Sequence, residues 1–275
     1  MRGKLLITLL ILSILLPLSV FGQQYSNPDK IEDFRGKTIM VFSPHPDDET
    51  YCTGAMKILT DNGNKVYIVH FTTGNKGSRD LDMSSERLAI IRREEDIAAN
   101  KIVGVPKENI IWLGYDDGML EYVPEKELCE KVCKLIRQYR PDMVFSYDPG
   151  DNWEQWHKTD HRMAAAISLD GARAAAYHLY FPYHRIYEGL QPHTVRDFFF
   201  YGSREPDYKL DITDVASFKL KVYSKHVSQF GNQNFKYVGG EMAPEDIERI
   251  GRRLKKGSDG KVWEKFRRVR ESMSF

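Results

Sequence analysis

Cysteine is scarce in this chain. There are three, Cys52, Cys129 and Cys133. An odd number leaves at least one free thiol, and Cys129 and Cys133 stand four apart in a helical pattern. The set excludes a disulfide framework and a zinc site built from thiols, leaving the role of small buried hydrophobes. An excess of one charge is also missing. Lys and Arg number 40, Asp and Glu 39, for a net charge of +1. Composition therefore offers no field for nucleic acid or an anionic membrane. "TTGNKG" (residues 72–77) contains glycine but lacks the spacing of a nucleotide loop, which argues against a dinucleotide site. Repeats and low-complexity stretches are absent.

Past residue 22 there is no long apolar run either. Before it there is one. "MRGK" carries two positive charges, residues 5–21 are almost wholly apolar, and "VFGQQ" follows. This is the three-part pattern of a secretory leader, with cleavage expected after Gly22. An uncleaved anchor is the competing reading, although the run falls short of the roughly 20 residues of a spanning helix. Residues 23–36 read as a linker, 37–235 as one large domain, and 236–275 as a charged, peripheral, helical extension. Secretion or a periplasmic location is the corresponding expectation.

What the domain does have is alternation. "KTIMVFSP", "NKVYIVHFTTG", "NIIWLG" and "MVFSYDPG" are short β-rich runs. Helical patterns separate them: "DETYCTGAMKILTDNG", "MSSERLAIIRREEDIAANKIVGV" with Ser84 or Ser85 as cap, and "PEKELCEKVCKLIRQYRPD". The alanine-rich "TDHRMAAAISLDGARAAAYH" follows the fourth strand. "RDFFFYGSREPDYKLDIT" predicts one or two strands, and "DVASFKLKVYSKHVSQF" a helix. Such alternation with near-continuous apolar strands predicts an α/β fold: a doubly wound, mostly parallel central sheet in a Rossmann-like three-layer sandwich.

Ligands of such sheets bind at the carboxyl ends of the strands. Three polar clusters fall there: "SPHPDDE" after the first strand, "FTTGNKGSRD" after the second, and "SYDPGDNWEQWHKTDHR" after the fourth. Acidic residues at a helix start are favourable by themselves, but that does not account for His45 or Pro46. His45 and Asp48 stand three apart and can converge on one ion across a Pro46 turn. A catalytic zinc takes three protein ligands. The third must come from elsewhere, and "HKTDH" offers His157 and His161, with Asp160 between them. Asp47 is then free to act as general base toward an activated water, and Glu49 to orient a ligand from behind. Trp153 and Trp156 flank the third cluster as a candidate sugar-stacking wall. His70, His178, His184, His193 and His226 read as structural, His226 with the option of lining the cleft.

"HPDDE", "RREEDIAANKIVGV" and "TDHR", in this order, resemble the PIG-L/LmbE family of zinc-dependent N-deacetylases; "SKHVSQF" resembles its late helix. The resemblance implies removal of an acetyl group from an N-acetylated amino sugar or glycoconjugate. It implies Zn2+, or another divalent metal, on His45, Asp48 and His161, with Asp47 as general base. It further implies that Arg92 reaches toward the site and that Asp116 or Asp117 of "YDDG" contributes to substrate binding. One departure stands out. The family's additional histidine lies three before the last ligand, whereas here that position is Lys158 and the histidine, His157, lies four before. The expected partner is a small molecule or a glycan. Two other readings stay open: a metal-dependent amidase or esterase on a non-sugar substrate, and a non-catalytic carbohydrate-binding relative.

Overall fold

The computed structural model describes residues 28–150, 158–252, 254 and 256–270. The leader expected at 1–22 lies outside them. Strand β1 (Thr38–Ser43) leads through a 3-10 turn (Asp48–Cys52) into α1 (Thr53–Asp61). Then come β2 (Lys65–Thr72), α2 (Ser85–Ile102), β3 (Ile110–Tyr115), α3 (Glu125–Tyr139), β4 (Met143–Tyr147) and α4 (Thr159–Ala176). The second half carries α5 (Pro182–Glu188), β5 (Asp197–Tyr201), β6 (Tyr208–Asp211), α6 (Ala216–Lys225), α7 (Val227–Phe230), α8 (Pro244–Gly251) and β7 (Trp263–Arg270). Ser84 caps α2, its side chain accepting from the Arg87 N–H.

Among the described residues, seven strands form one sheet in the order β3-β2-β1-β4-β5-β7-β6. The first five are parallel, and β7 runs antiparallel to both its neighbours. Successive side chains of a strand point to opposite faces, and β1 shows both. Ile39 and Val41 enter a core with Ala55, Met56 and Leu59 of α1 and Val222 of α6. Met40 and Phe42 enter a second core with Leu128, Val132 and Ile136 of α3 and Ala164 and Ile167 of α4. The helices thus cover both faces, as the doubly wound, three-layer expectation requires. The connections after β1 and β2 proceed outward, and the one after β3 returns to the far side of β1. The sheet therefore has its switch point between β1 and β4, and it is outside the carboxyl ends at such a point that ligands of these sheets bind.

Two expectations are corrected. The tail from residue 236 is helical only in part: α8 forms, but Trp263–Arg270 is a strand between β5 and β6. The alternation of "WEKFRRVR" is hidden because the inward positions hold Phe266 and a charged residue, Glu264, both buried. Glu264 accepts from the backbone N–H groups of Gly54 and Ala55 (2.8 and 2.9 Å), donors that the start of α1 leaves unpaired. The stretch expected as linker also contributes to the core, for Ile31 and Phe34 are fully buried in it. Helix α5 was not expected. Among the described residues, no helix is long and apolar enough to cross a membrane.

Candidate active site

The turn after β1 closes on itself. The N–H groups of Asp47 and Asp48 donate to the His45 carbonyl (2.9 and 3.3 Å), and the His45 N–H donates to Asp48 Oδ2 (3.1 Å). This folds the His45 ring over the Asp48 carboxylate, with Nδ1 2.8 Å from Oδ2. His161, in the first turn of α4, arrives from across the switch point and sets Nε2 3.4 Å from the same oxygen. His45, Asp48 and His161 are all buried, and one ligand atom from each lies within 4.8 Å of the others. Two imidazoles and a carboxylate are a donor set suited to zinc.

The electrostatics fit a cation. His45 faces three carboxylates. Besides Asp48, its Nε2 lies 3.0 Å from Asp117 Oδ1 and 3.1 Å from Asp160 Oδ2. Burial disfavours the charged imidazole, but these carboxylates outweigh it and raise its pKa well above the ordinary value. Asp117 is held down at about 2: burial opposes its charge, but the bond to His45 and the Arg92 charge prevail. Asp160 is almost fully buried and accepts from the N–H groups of Gly118 (2.6 Å) and Leu120 (3.1 Å), so it ties the "YDDG" turn to His45. A carboxylate on the outer nitrogen of a metal-ligating histidine fixes its ring and tautomer.

Asp47 stands beside the donors, partly exposed. The Arg92 guanidinium donates to its Oδ1 at 2.7 Å and to the Gly74 carbonyl at 3.0 Å. Arg92 is 3% exposed. The glycines of "TTGNKG" make room for it: a Cβ on Gly74 would stand 2.5 Å from Nη1, and one on Gly77 2.8 Å. Gly74 also has φ +63°, in the left-handed region. Arg92 thus lies beside the donors, with its guanidinium engaged on Asp47.

Of the pair Asp116 and Asp117, Asp117 faces the site. Asp116 is turned outward, accepting from Asn75 at 2.9 Å, while the Asn75 side-chain oxygen accepts from the Asp117 N–H at 3.0 Å. Glu49 is fully buried behind the turn, accepting from Asn100 Nδ2 at 3.3 Å. His157, Trp153 and Trp156 lie outside the described residues. His70, His184 and His226 are buried, and His178 is exposed.

Sequence reasoning missed Tyr147. It ends β4, and its hydroxyl donates to Asp48 Oδ1 at 2.6 Å while its ring stacks on His161 with centroids 4.3 Å apart. One side chain therefore steadies two of the three donors. Nothing in "MVFSYDPG" marks it, because a tyrosine in a β-rich run reads as core. Asn75 and Asp96 were missed as well, Asp96 although it lies inside a quoted motif.

A family model, PIG-L: GlcNAc-PI de-N-acetylase, matches residues 40–171, a span that holds His45, Asp47, Asp48, Arg92, Asp117, Asp160 and His161. The diacetylchitobiose deacetylase of Thermococcus kodakarensis is 33% identical over 198 residues, 70% of this chain and 70% of that protein. The chain belongs to the PIG-L family. A probable N-acetyl-alpha-D-glucosaminyl L-malate deacetylase 2 of Bacillus anthracis is 26% identical, over 71% of this chain and 82% of its own length. Among solved structures, the N,N'-diacetylchitobiose deacetylase of Pyrococcus horikoshii, in complex with its inhibitor MPG, superposes with a TM-score of 0.71. Its identity is 28%, over 85% of this chain and 84% of that one.

Proposed function

We propose that this PIG-L family member is a metal-dependent N-deacetylase that hydrolyses the acetamide of an N-acetylated amino sugar, alone or within a glycoconjugate. The observation that carries the reading is the His45, Asp48 and His161 donor set with Asp47 beside it. Relatives named for diacetylchitobiose and for N-acetylglucosaminyl malate support the sugar class. We assign the metal as Zn2+, on the strength of two imidazoles and one carboxylate brought together by the fold.

A divalent cation on these three residues supplies Lewis-acid polarisation of the acetyl carbonyl and of a water molecule. The rest falls to the chain. Asp47 accepts a proton as the water oxygen adds to the carbonyl carbon, and Arg92 holds that carboxylate in place. Asp47 then returns the proton to the nitrogen as the C–N bond breaks, and acetate and a free amine leave. His157 is assigned to donate to the carbonyl oxygen as it gains charge, and Trp153 and Trp156 to stack on the sugar. Asp160 and Asp117 hold His45, and Glu49 backs the turn. If the leader at 1–22 directs export, as we infer, the substrates are glycans or glycoconjugates outside the cytoplasm. N-terminal sequencing of the exported protein tests that part.

The deciding experiment is metal analysis together with acetate release from a panel of N-acetylated sugars and non-sugar amides. Acetate from N-acetylglucosamine oligomers is the expected result. Release from non-sugar amides or esters alone would move the protein to another hydrolase class. Bound metal with no hydrolysis of any substrate would leave a carbohydrate-binding relative.

A further inference from the structure

Behind the catalytic turn lies a second cluster that takes no direct part in this chemistry. Glu49, His70 and Asp96 are fully buried, and one ligand atom from each lies within 4.8 Å of the others. They come from three segments: the 3-10 turn after β1, strand β2 and helix α2. A fourth segment, the junction of α6 and α7, adds His226. That ring is also fully buried, and its Nε2 lies 3.7 Å from Glu49 Oε1. Among the described residues, neither ring nitrogen of His226 has a hydrogen-bond partner. A buried polar group without a partner is costly, so an imidazole in this position points to a missing ligand.

Charge and spacing agree. Among the described residues, the ion-pair contacts of Glu49 and Asp96 are with histidine, not with lysine or arginine. Ionised together, the two carboxylates would balance one dication, with the imidazoles as neutral donors. His70 Nε2 and Asp96 Oδ2 are hydrogen-bonded at 3.1 Å, and His226 Nε2 stands 3.7 Å from Glu49 Oε1, at the edge of the cluster of three. Asn100 Nδ2 donates to both carboxylates, at 2.9 Å to Asp96 and 3.3 Å to Glu49, and holds them together.

We propose that Glu49, His70, Asp96 and His226 form a second zinc site, separate from His45, Asp48 and His161, that staples four segments of the chain behind the catalytic turn. Full burial of Glu49, His70, Asp96 and His226 closes the site to substrate and gives it a structural role.

The test is zinc stoichiometry of the full chain, loaded with Zn2+, dialysed, and measured by elemental mass spectrometry. Wild type is expected to hold two zinc ions, and His161→Ala, which leaves the cluster untouched, one. His226→Gln and Asp96→Asn are each expected to hold one. A chelator is expected to lower the melting temperature of His161→Ala further. One zinc in wild type and none in His161→Ala would overturn the proposal while leaving the deacetylase reading intact. Two zinc ions in wild type that persist in both His226→Gln and Asp96→Asn would overturn it as well. Wild type and His161→Ala decide the matter even where the cluster variants fail to fold.

Discussion

At the scale of single residues, the site divides its carboxylates by position. Asp48 is buried between His45, His161 and Tyr147, whereas Asp47, one residue earlier, is partly exposed and meets Arg92. Adjacent side chains in a tight turn point apart, and the proposed function assigns one aspartate to the metal and the other to the proton. Asp47→Asn is therefore expected to keep its metal content and lose roughly 10²- to 10⁴-fold in kcat, the range for a general base. Elemental analysis and acetate release on one preparation check both halves, and an unchanged kcat would remove Asp47 from the role. Tyr147→Phe keeps the ring on His161 and deletes the hydroxyl bond to Asp48. Loss of such an outer partner typically weakens metal binding about 10- to 100-fold. Competition with a zinc chelator reads this directly, and an unshifted Kd would leave Tyr147 as packing alone.

At the scale of elements, the carboxyl ends of β1 and β4 assemble the site, and the last strand stabilises it from below. β7 sends Glu264 under the first turn of α1, where its carboxylate accepts two backbone N–H groups and pairs with buried Lys219 of α6. Three elements distant in sequence meet on one charge. Removing one partner of a buried pair leaves the other uncompensated, which typically costs about 3–5 kcal/mol. Lys219→Met is expected to lose stability on that order in urea unfolding. The double variant Lys219→Met with Glu264→Gln should recover part of it, since the stranded charge is gone. A loss within ~0.5 kcal/mol for the single variant would mean that water reaches Glu264. The elements themselves were largely legible: β1 to β4 and α1 to α4 lie within a few residues of their expected ends, because apolar runs and helical spacing are local signals. β7 was not, because its buried face carries a glutamate whose partners are about 45 and 210 residues away.

At the scale of the whole molecule, burial of histidine links stability to pH. His193 donates through Nε2 to the Pro141 carbonyl at 2.7 Å, and its N–H bonds the Ala175 carbonyl at 3.0 Å, so it joins the end of α4 to the approach to β4. Burial lowers its pKa from the ordinary 6.5, only partly opposed by the bond to Pro141. The unfolded chain then binds the proton more readily than the folded one. The contribution is present above pH ~6.5 and is lost as pH falls below it. Relative to His193→Gln, wild type is expected to lose its advantage between pH 7.5 and pH 5 in urea unfolding. An equal gap at the two pH values would exclude His193 as the source. By itself, the sequence determined the fold class and the chemical type of the site. "HPDDE" and "TDH" are short patterns whose geometry the local turn and the first turn of a helix impose. The tertiary structure alone decided which contacts hold them in place. Tyr147 against Asp48, Arg92 against Asp47, Glu264 under α1 and His226 beside Glu49 are contacts between segments far apart in the chain. No local spacing encodes such contacts, because they exist only once both faces of the sheet are covered.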